Sequence, residues 1–157
     1  MKNLSDSRVL IVDDVKDNID VLVNALRDEY KLSVALDGTA ALRSIEKQLP
    51  DLVLLDIMMP GLDGYEVCRQ LRAREATREV PVMFLSALED VKNKAHGFEV
   101  GGNDYLTKPF ELLEVKARVR SLLRRRRTQT LFATQWRGTF ASPVKSRWAS
   151  CRPIRRR

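Results

Sequence analysis

The chain has 157 residues, 44% apolar and 31% charged, with a formal net charge of +7, which suits one globular domain with a real core and hardly two. No apolar run approaches the roughly 20 residues needed to insert into a membrane, the first residues lack the pattern of a signal peptide, and Cys68 and Cys151 are too few for a disulfide framework or a zinc site. A reducing cytoplasm is therefore the expected location. The net charge joins two unlike parts: residues 1–123 hold 17 Lys+Arg against all 21 Asp+Glu, a net −4, while residues 124–157 hold 11 basic residues and no acid. An acidic domain and a basic tail call for separate arguments.

Arg8-Val9-Leu10-Ile11-Val12 is a continuous apolar run that ends in Asp13-Asp14. From about Lys16 to Glu29, Ile19, Leu22, Val23 and Leu26 recur at helical spacing, with Asp17 and Asp20 early, where the helix dipole favours acids. Leu32 to Leu36 reads as a short strand, and Asp37-Gly38-Thr39 leads into a helix bearing Ala41, Leu42, Ile45 and Leu49, closed by Pro50. Leu52-Val53-Leu54-Leu55 is apolar without alternation, as in a strand buried on both faces of a parallel sheet, and it ends in Asp56 before a loop marked by Pro60, Gly61 and Gly64. A helix from about Gly64 to Arg74 turns Val67, Cys68 and Leu71 inward. Pro81 to Ser86 repeats the strand theme, a helix from about Glu89 to Val100 is closed by Gly101-Gly102, and Asp104-Tyr105-Leu106-Thr107 is a last strand before Lys108-Pro109. The final helix, about Glu111 to Arg126, carries Leu112, Val115, Val119 and Leu122 as its apolar stripe.

Five strands alternating with five helices predict an α/β fold, a doubly wound parallel sheet of flavodoxin-like (βα)5 type with strand order 2-1-3-4-5. That topology brings Asp13, Asp14, Asp56, Ser86 and Lys108 to one sheet edge, where open α/β sheets bind ligands. Asp56 alone could simply cap the next element. Three neighbouring carboxylates, however, repel one another and take up protons unless a cation is present. A hard divalent ion with oxygen ligands, Mg²⁺ or Mn²⁺, relieves this. Asp56 then stays ionised and serves as a nucleophile, with Lys108 and the Ser86 hydroxyl holding oxygens of a phosphoryl group.

These residues make the chain recognisable. Asp13-Asp14, the segment Leu55-Asp56-Ile57-Met58-Met59-Pro60-Gly61-Leu62-Asp63-Gly64, Ser86-Ala87, and Asp104-Tyr105-Leu106-Thr107-Lys108-Pro109-Phe110 occur in order at the right separations. Over residues 6–126 the chain resembles the receiver domain of two-component response regulators. The resemblance implies that Asp56 accepts a phosphoryl group from the phosphohistidine of a sensor kinase or a histidine phosphotransfer protein. It implies that Asp14 binds the metal directly, Asp13 mainly through water, and Met58 through its backbone carbonyl. Ser86, with Ala87 beside it, matches the hydroxyl that bonds the phosphate and draws its loop inward. Tyr105 matches an aromatic that swings from exposed to buried, and the Lys108–Pro109 bond is expected to be cis. Phosphorylation would then switch a protein-interaction surface of the fourth helix, fifth strand and fifth helix, about Glu89–Arg126, which by analogy supports a homodimer. No enzyme beyond self-phosphorylation and its reversal at Asp56 is implied.

Other features read more plainly. His96, the only histidine, is expected to be a solvated helix residue, Cys68 a small core residue, and Gly61, Gly64, Gly101 and Gly102 turns and caps. A metal-dependent phosphatase with a strand-end Asp nucleophile usually has a second Asp two residues later, and Met58 stands there. From Arg124 onward, Arg124-Arg125-Arg126-Arg127 gives way to a Thr/Ser/Arg-rich stretch ending Arg155-Arg156-Arg157. Residues 127–157 are too short for a winged-helix output domain. Phe132, Trp136, Phe140, Val144 and Trp148 recur every four residues, but that period drifts about 40° per step on a helix, and Gly138 and Pro143 interrupt it. The tail is expected to be disordered, a truncated or frame-shifted remnant. The alternatives are a basic arm contacting nucleic acid or an acidic partner, and a membrane-surface segment. Two further readings stay open: a DNA-binding transcriptional regulator acting through the tail, and a receiver fragment of a larger signalling enzyme.

Overall fold

Residues 4–87 and 91–140 are described by the structure, a computed structural model. After a short 3-10 turn at Leu4–Asp6, the chain alternates β1 (Arg8–Val12), α1 (Lys16–Leu26), β2 (Lys31–Ala35), α2 (Gly38–Lys47), β3 (Leu52–Asp56), α3 (Gly64–Ala73), β4 (Val82–Ser86), α4 (Val91–Glu99), β5 (Asp104–Thr107) and α5 (Leu112–Phe140). The strands form one all-parallel sheet in the order β2-β1-β3-β4-β5, the flavodoxin-like topology that the alternation predicts. Strand chemistry explains the layering. Val9 and Ile11 join Ile19, Leu22 and Leu26 of α1 and Val115, Val119 and Leu122 of α5 in one apolar cluster. Leu10 and Val12 join Ala41 and Ile45 of α2 and Val67, Cys68 and Leu71 of α3 in the other. Alternate residues of each strand thus serve opposite faces, and central β3 is buried at every position.

The pairing register sets the site. Val12 lies opposite Leu55 in the β1–β3 pair, so Asp13 emerges beside Asp56. Ser86 lies opposite Thr107 in the β4–β5 pair, which brings Lys108 to the same edge. Helix starts are fixed by short acids: Asp37 accepts the Ala40 N–H at 2.7 Å, and Asp63 accepts the Glu66 N–H at 2.9 Å, each occupying a donor that the first helical turn leaves unpaired.

Several expected boundaries shift. α1 ends at Leu26, three residues early, because the Glu29 and Tyr30 N–H groups both close on the Leu26 carbonyl and Tyr30 turns into the core. Leu49 lies beyond the end of α2 and is 44% exposed, and Leu112 opens α5 at 47% exposed; both were expected on core faces. α5 runs to Phe140, well past the expected end near Arg126. Its Arg, Leu, Gln and Ala residues favour helix, and one Gly138 costs only about 1 kcal/mol. The chain divides into compact units Met1–Arg124 and Arg125–Arg157. Pro143, Val144, Trp148 and Cys151, and the expected start of the fourth helix at Glu89, lie outside the described residues.

Leu54, fully buried in β3, and Leu113, 75% exposed on α5, set up a comparison of the two environments. Leu54→Ala is expected to lose about 3 kcal/mol in urea unfolding, whereas Leu113→Ala stays within about 0.5 kcal/mol. Equal losses would contradict this layering.

Candidate functional site

Asp56 is the last residue of β3 and only 2% exposed. One of its oxygens, Oδ1, accepts the Met58 N–H at 3.3 Å and lies 3.2 Å from Lys108 Nζ. Asp13 follows β1 with no exposure at all. Its Oδ1 accepts the Val15 N–H at 2.9 Å, and its Oδ2 lies 3.2 Å from the same Lys108 Nζ. That second contact is an ion pair without hydrogen-bond direction, so Asp13 Oδ2 is buried with a charge partner but no donor. Asp14 is exposed, yet one carboxylate oxygen from each of Asp13, Asp14 and Asp56 can be chosen so that all lie within 4.8 Å.

Local backbone geometry holds these groups. Gly64 packs so closely on the Asp56 carbonyl that a side chain there would collide with backbone, and its N–H donates to the Ile57 carbonyl at 3.0 Å. Gly61, with φ +79°, supplies the left-handed turn that only glycine takes easily. The loop between β3 and α3 therefore returns tightly against the end of the strand. Met58, in that loop, leaves its side chain 75% exposed, so its contribution to a site rests with its backbone. On the opposite side the Lys108 N–H donates to the Ser86 carbonyl at 2.7 Å, and the Lys108–Pro109 bond is cis.

The remaining predicted residues are placed less uniformly. The Ser86 hydroxyl donates to the Ala87 carbonyl at 2.8 Å, so its single proton is committed within its own loop. Tyr105 is buried, at 7% exposure, and its hydroxyl lies 3.2 Å from that of Tyr65. Pro109 is exposed. His96 is more than a solvated residue: its ring packs edge-on against Tyr65 with centroids 4.5 Å apart, and Nε2 lies 3.4 Å from Arg69 Nη2. Tyr65 and Gly97 were not singled out from the sequence, although both touch Tyr105. A glycine in the middle of a helix was the available signal, because it needs a packing reason. Cys68 is a buried free thiol whose S–H reaches the Val100 carbonyl at 3.5 Å, and burial raises its pKa.

Electrostatics single out Asp56. Burial raises its pKa to about 6, the Asp13 charge adds to the rise, and Lys108 opposes both. Two buried acids sharing one lysine form an incompletely neutralised pair, and an orphaned hard oxygen on Asp13 fits a donor set for a hard divalent cation.

The raised value fixes a pH dependence for the metal-free protein. Below about pH 3.8, the ordinary value, Asp56 is protonated whether folded or not; above about 6 it is ionised in both states. Between them the folded chain holds a proton that the unfolded chain has lost, so stability falls as pH rises through that window. Asp56→Asn should then be more stable than the parent at pH 7 by about 2–3 kcal/mol. That gain should vanish below pH 4, as read by denaturant unfolding in chelator. A variant less stable than the parent at pH 7 would refute the assignment.

The profile of the response regulator receiver domain matches residues 9–120. PleD, a response regulator of Caulobacter vibrioides, is 44% identical over 119 residues, which are 75% of this chain and 26% of PleD. The transcriptional regulatory protein PrrA of Mycobacterium tuberculosis is 48% identical over 120 residues, 76% of this chain and 51% of PrrA. The chain thus spans about a quarter to a half of the length of these curated relatives. The crystal structure of the chemotaxis response regulator CheY4 of Vibrio cholerae superposes with a TM-score of 0.71 at 26% identity, covering 74% of this chain and 98% of that one. Residues 9–120 make this chain a member of the response regulator receiver domain family.

Proposed function

We propose that Asp56 is the phosphoacceptor of this receiver, taking a phosphoryl group from the phosphohistidine of a sensor histidine kinase or a histidine phosphotransfer protein. The observation that carries the reading is the Asp56 carboxylate, fixed at the end of a fully buried strand with Asp13 and Lys108 in contact. Phosphoryl transfer asks mainly for positioning and charge neutralisation. The first is supplied by the Met58 N–H, which orients one Asp56 oxygen, leaving the other for in-line attack on phosphorus as the bond to the histidine nitrogen breaks.

Asp13, Asp14, Asp56 and the Met58 carbonyl would hold Mg²⁺ or Mn²⁺. The bound ion supplies neutralisation of the charge on the phosphoryl oxygens and keeps Asp56 ionised at neutral pH. Lys108, already beside both buried carboxylates, provides the second positive charge and binds a phosphoryl oxygen after transfer. The Ser86 hydroxyl gives up its bond to Ala87 and donates to another, which couples the adduct to the Ser86–Ala87 loop. Kinase contact, a homodimer through α4, β5 and α5, and any output through a longer protein's further domains belong to this same reading, by family likeness. Among the described residues no helix is long and apolar enough to cross a membrane.

Intact mass after incubation with acetyl phosphate and Mg²⁺ tests the reading. The parent should gain one labile phosphoryl group, and both Asp56→Asn and metal-free parent should gain none. A stable adduct in the Asn variant would place the acceptor elsewhere.

Lys108→Ala removes the cation beside two buried carboxylates, so the metal-free variant should lose about 2–4 kcal/mol at pH 7. Its Mg²⁺-induced rise in melting temperature should exceed the parent's, because the ion then meets no competing ammonium. A smaller rise than the parent's would show that Lys108 supports the metal instead of competing with it.

A further inference from the structure

Four sulfur-bearing side chains lie among the described residues, and three of them are sealed. Met59 is 7% exposed, and Met83 and Cys68 are both at 0%. The Cys68 S–H is engaged with the Val100 carbonyl, and burial raises its pKa, so the reactive thiolate is disfavoured. Met58 is the exception, at 75% exposure. With Met59, Pro60 and Tyr65 it lines an open cavity of about 480 Å³, which leaves room for a small oxidant to approach and for an added oxygen to stay. Its own N–H donates to Asp56 Oδ1 at 3.3 Å, and Gly64 closes the same loop tightly on the Asp56 carbonyl. The open thioether therefore stands on the loop that orients the buried acid.

We propose that Met58 is a reversible oxidation site for peroxide-class oxidants, and that its sulfoxide slows phosphoryl acquisition at the neighbouring Asp56. A sulfur lone pair attacks one peroxide oxygen and the O–O bond breaks. The departing hydroxide takes the proton left on the transferred oxygen and leaves as water. The thioether is oxidised by two electrons and the peroxide is reduced by two. A thiol-dependent methionine sulfoxide reductase returns the side chain to its starting state. The sulfoxide replaces an apolar group by a dipole that ends in a strongly accepting oxygen. It does so two residues from Asp56, at an edge where three carboxylates gather and one lysine contacts two of them. An anionic phosphodonor then meets more negative charge and reacts more slowly. This consequence rests on the phosphoacceptor reading; the oxidation itself does not.

The test treats the full chain with dilute hydrogen peroxide, removes the excess with catalase, restores thiols with dithiothreitol and maps the methionines by peptide mass. Acetyl phosphate and Mg²⁺ are then added, and the adduct is followed by intact mass. Met58 should be converted about tenfold faster than Met59 and Met83. Oxidised parent should gain the phosphoryl group about fivefold more slowly than untreated parent, the scale of one charge contact in water, and sulfoxide reductase should restore the rate. In Met58→Leu, treated and untreated protein should react at equal rates. Conversion of Met58 no faster than that of Met59 and Met83 would overturn the site. An unchanged rate in oxidised parent, a slowing that the reductase does not reverse, or the same slowing in Met58→Leu would overturn its effect on Asp56. Absence of an adduct on untreated parent would sink the phosphoacceptor reading instead, and the peptide map would still decide whether Met58 is the oxidation site.

Discussion

Everything at the functional edge depends on one shared cation. Asp13 and Asp56 are both essentially without solvent, and Lys108 Nζ lies 3.2 Å from an oxygen of each. One ammonium cannot neutralise two buried carboxylates, which is why burial and the Asp13 charge still push Asp56 up to about 6 against the pull of the lysine. The site is thus left short of one positive charge. Such a deficit costs stability in the metal-free fold, and the same deficit favours a divalent cation at this edge.

That conflict can persist only because the frame around it is over-determined. β3 is buried at all five positions between two apolar clusters, and its neighbours fix its register on both sides. The Asp56 backbone therefore has nowhere to move to relieve the repulsion. Gly64 seals the loop against the Asp56 carbonyl from one direction, and the Lys108 N–H bond to Ser86 ties the β5 end to the β4 end from another. Asp13, Asp56 and Lys108 stand at or just beyond the ends of rigid strands, while the Ser86 hydroxyl at the end of β4 bonds into the loop that follows and Asp14 lies exposed in the loop after β1.

Strand order and the meeting of Asp13, Asp14, Asp56 and Lys108 at one edge were legible in the sequence because each rests on a local pattern. Unbroken apolar runs mark strands buried on both faces, and each run ends in a polar residue at its carboxyl end. What depends on tertiary packing was not legible. Leu49 and Leu112 fit helical stripes by spacing alone, yet both stand at helix ends where the stripe no longer faces the sheet. The length of α5 was hidden by a change in composition: arginine-rich sequence looks like a tail, but arginine is a good helix former. His96 read as solvated because nothing in its own neighbourhood reveals Tyr65, which arrives from α3 about 30 residues earlier.

Tyr105 shows the same division most sharply. Its position in a strand and its place before Lys108 could be read from spacing, but the approach of its hydroxyl to Tyr65 and the packing of its ring against Gly97 could not. A family pattern transfers the residues that perform chemistry more safely than the residues that set a conformational equilibrium. The former must match a phosphoryl group that is the same everywhere. The latter need only balance one another, and a single hydroxyl on a neighbouring helix, worth about 1 kcal/mol net, shifts a two-state side chain about fivefold. The charges at this sheet edge are therefore legible from local runs of sequence, whereas the packing between α3, α4 and β5 is legible only from the fold.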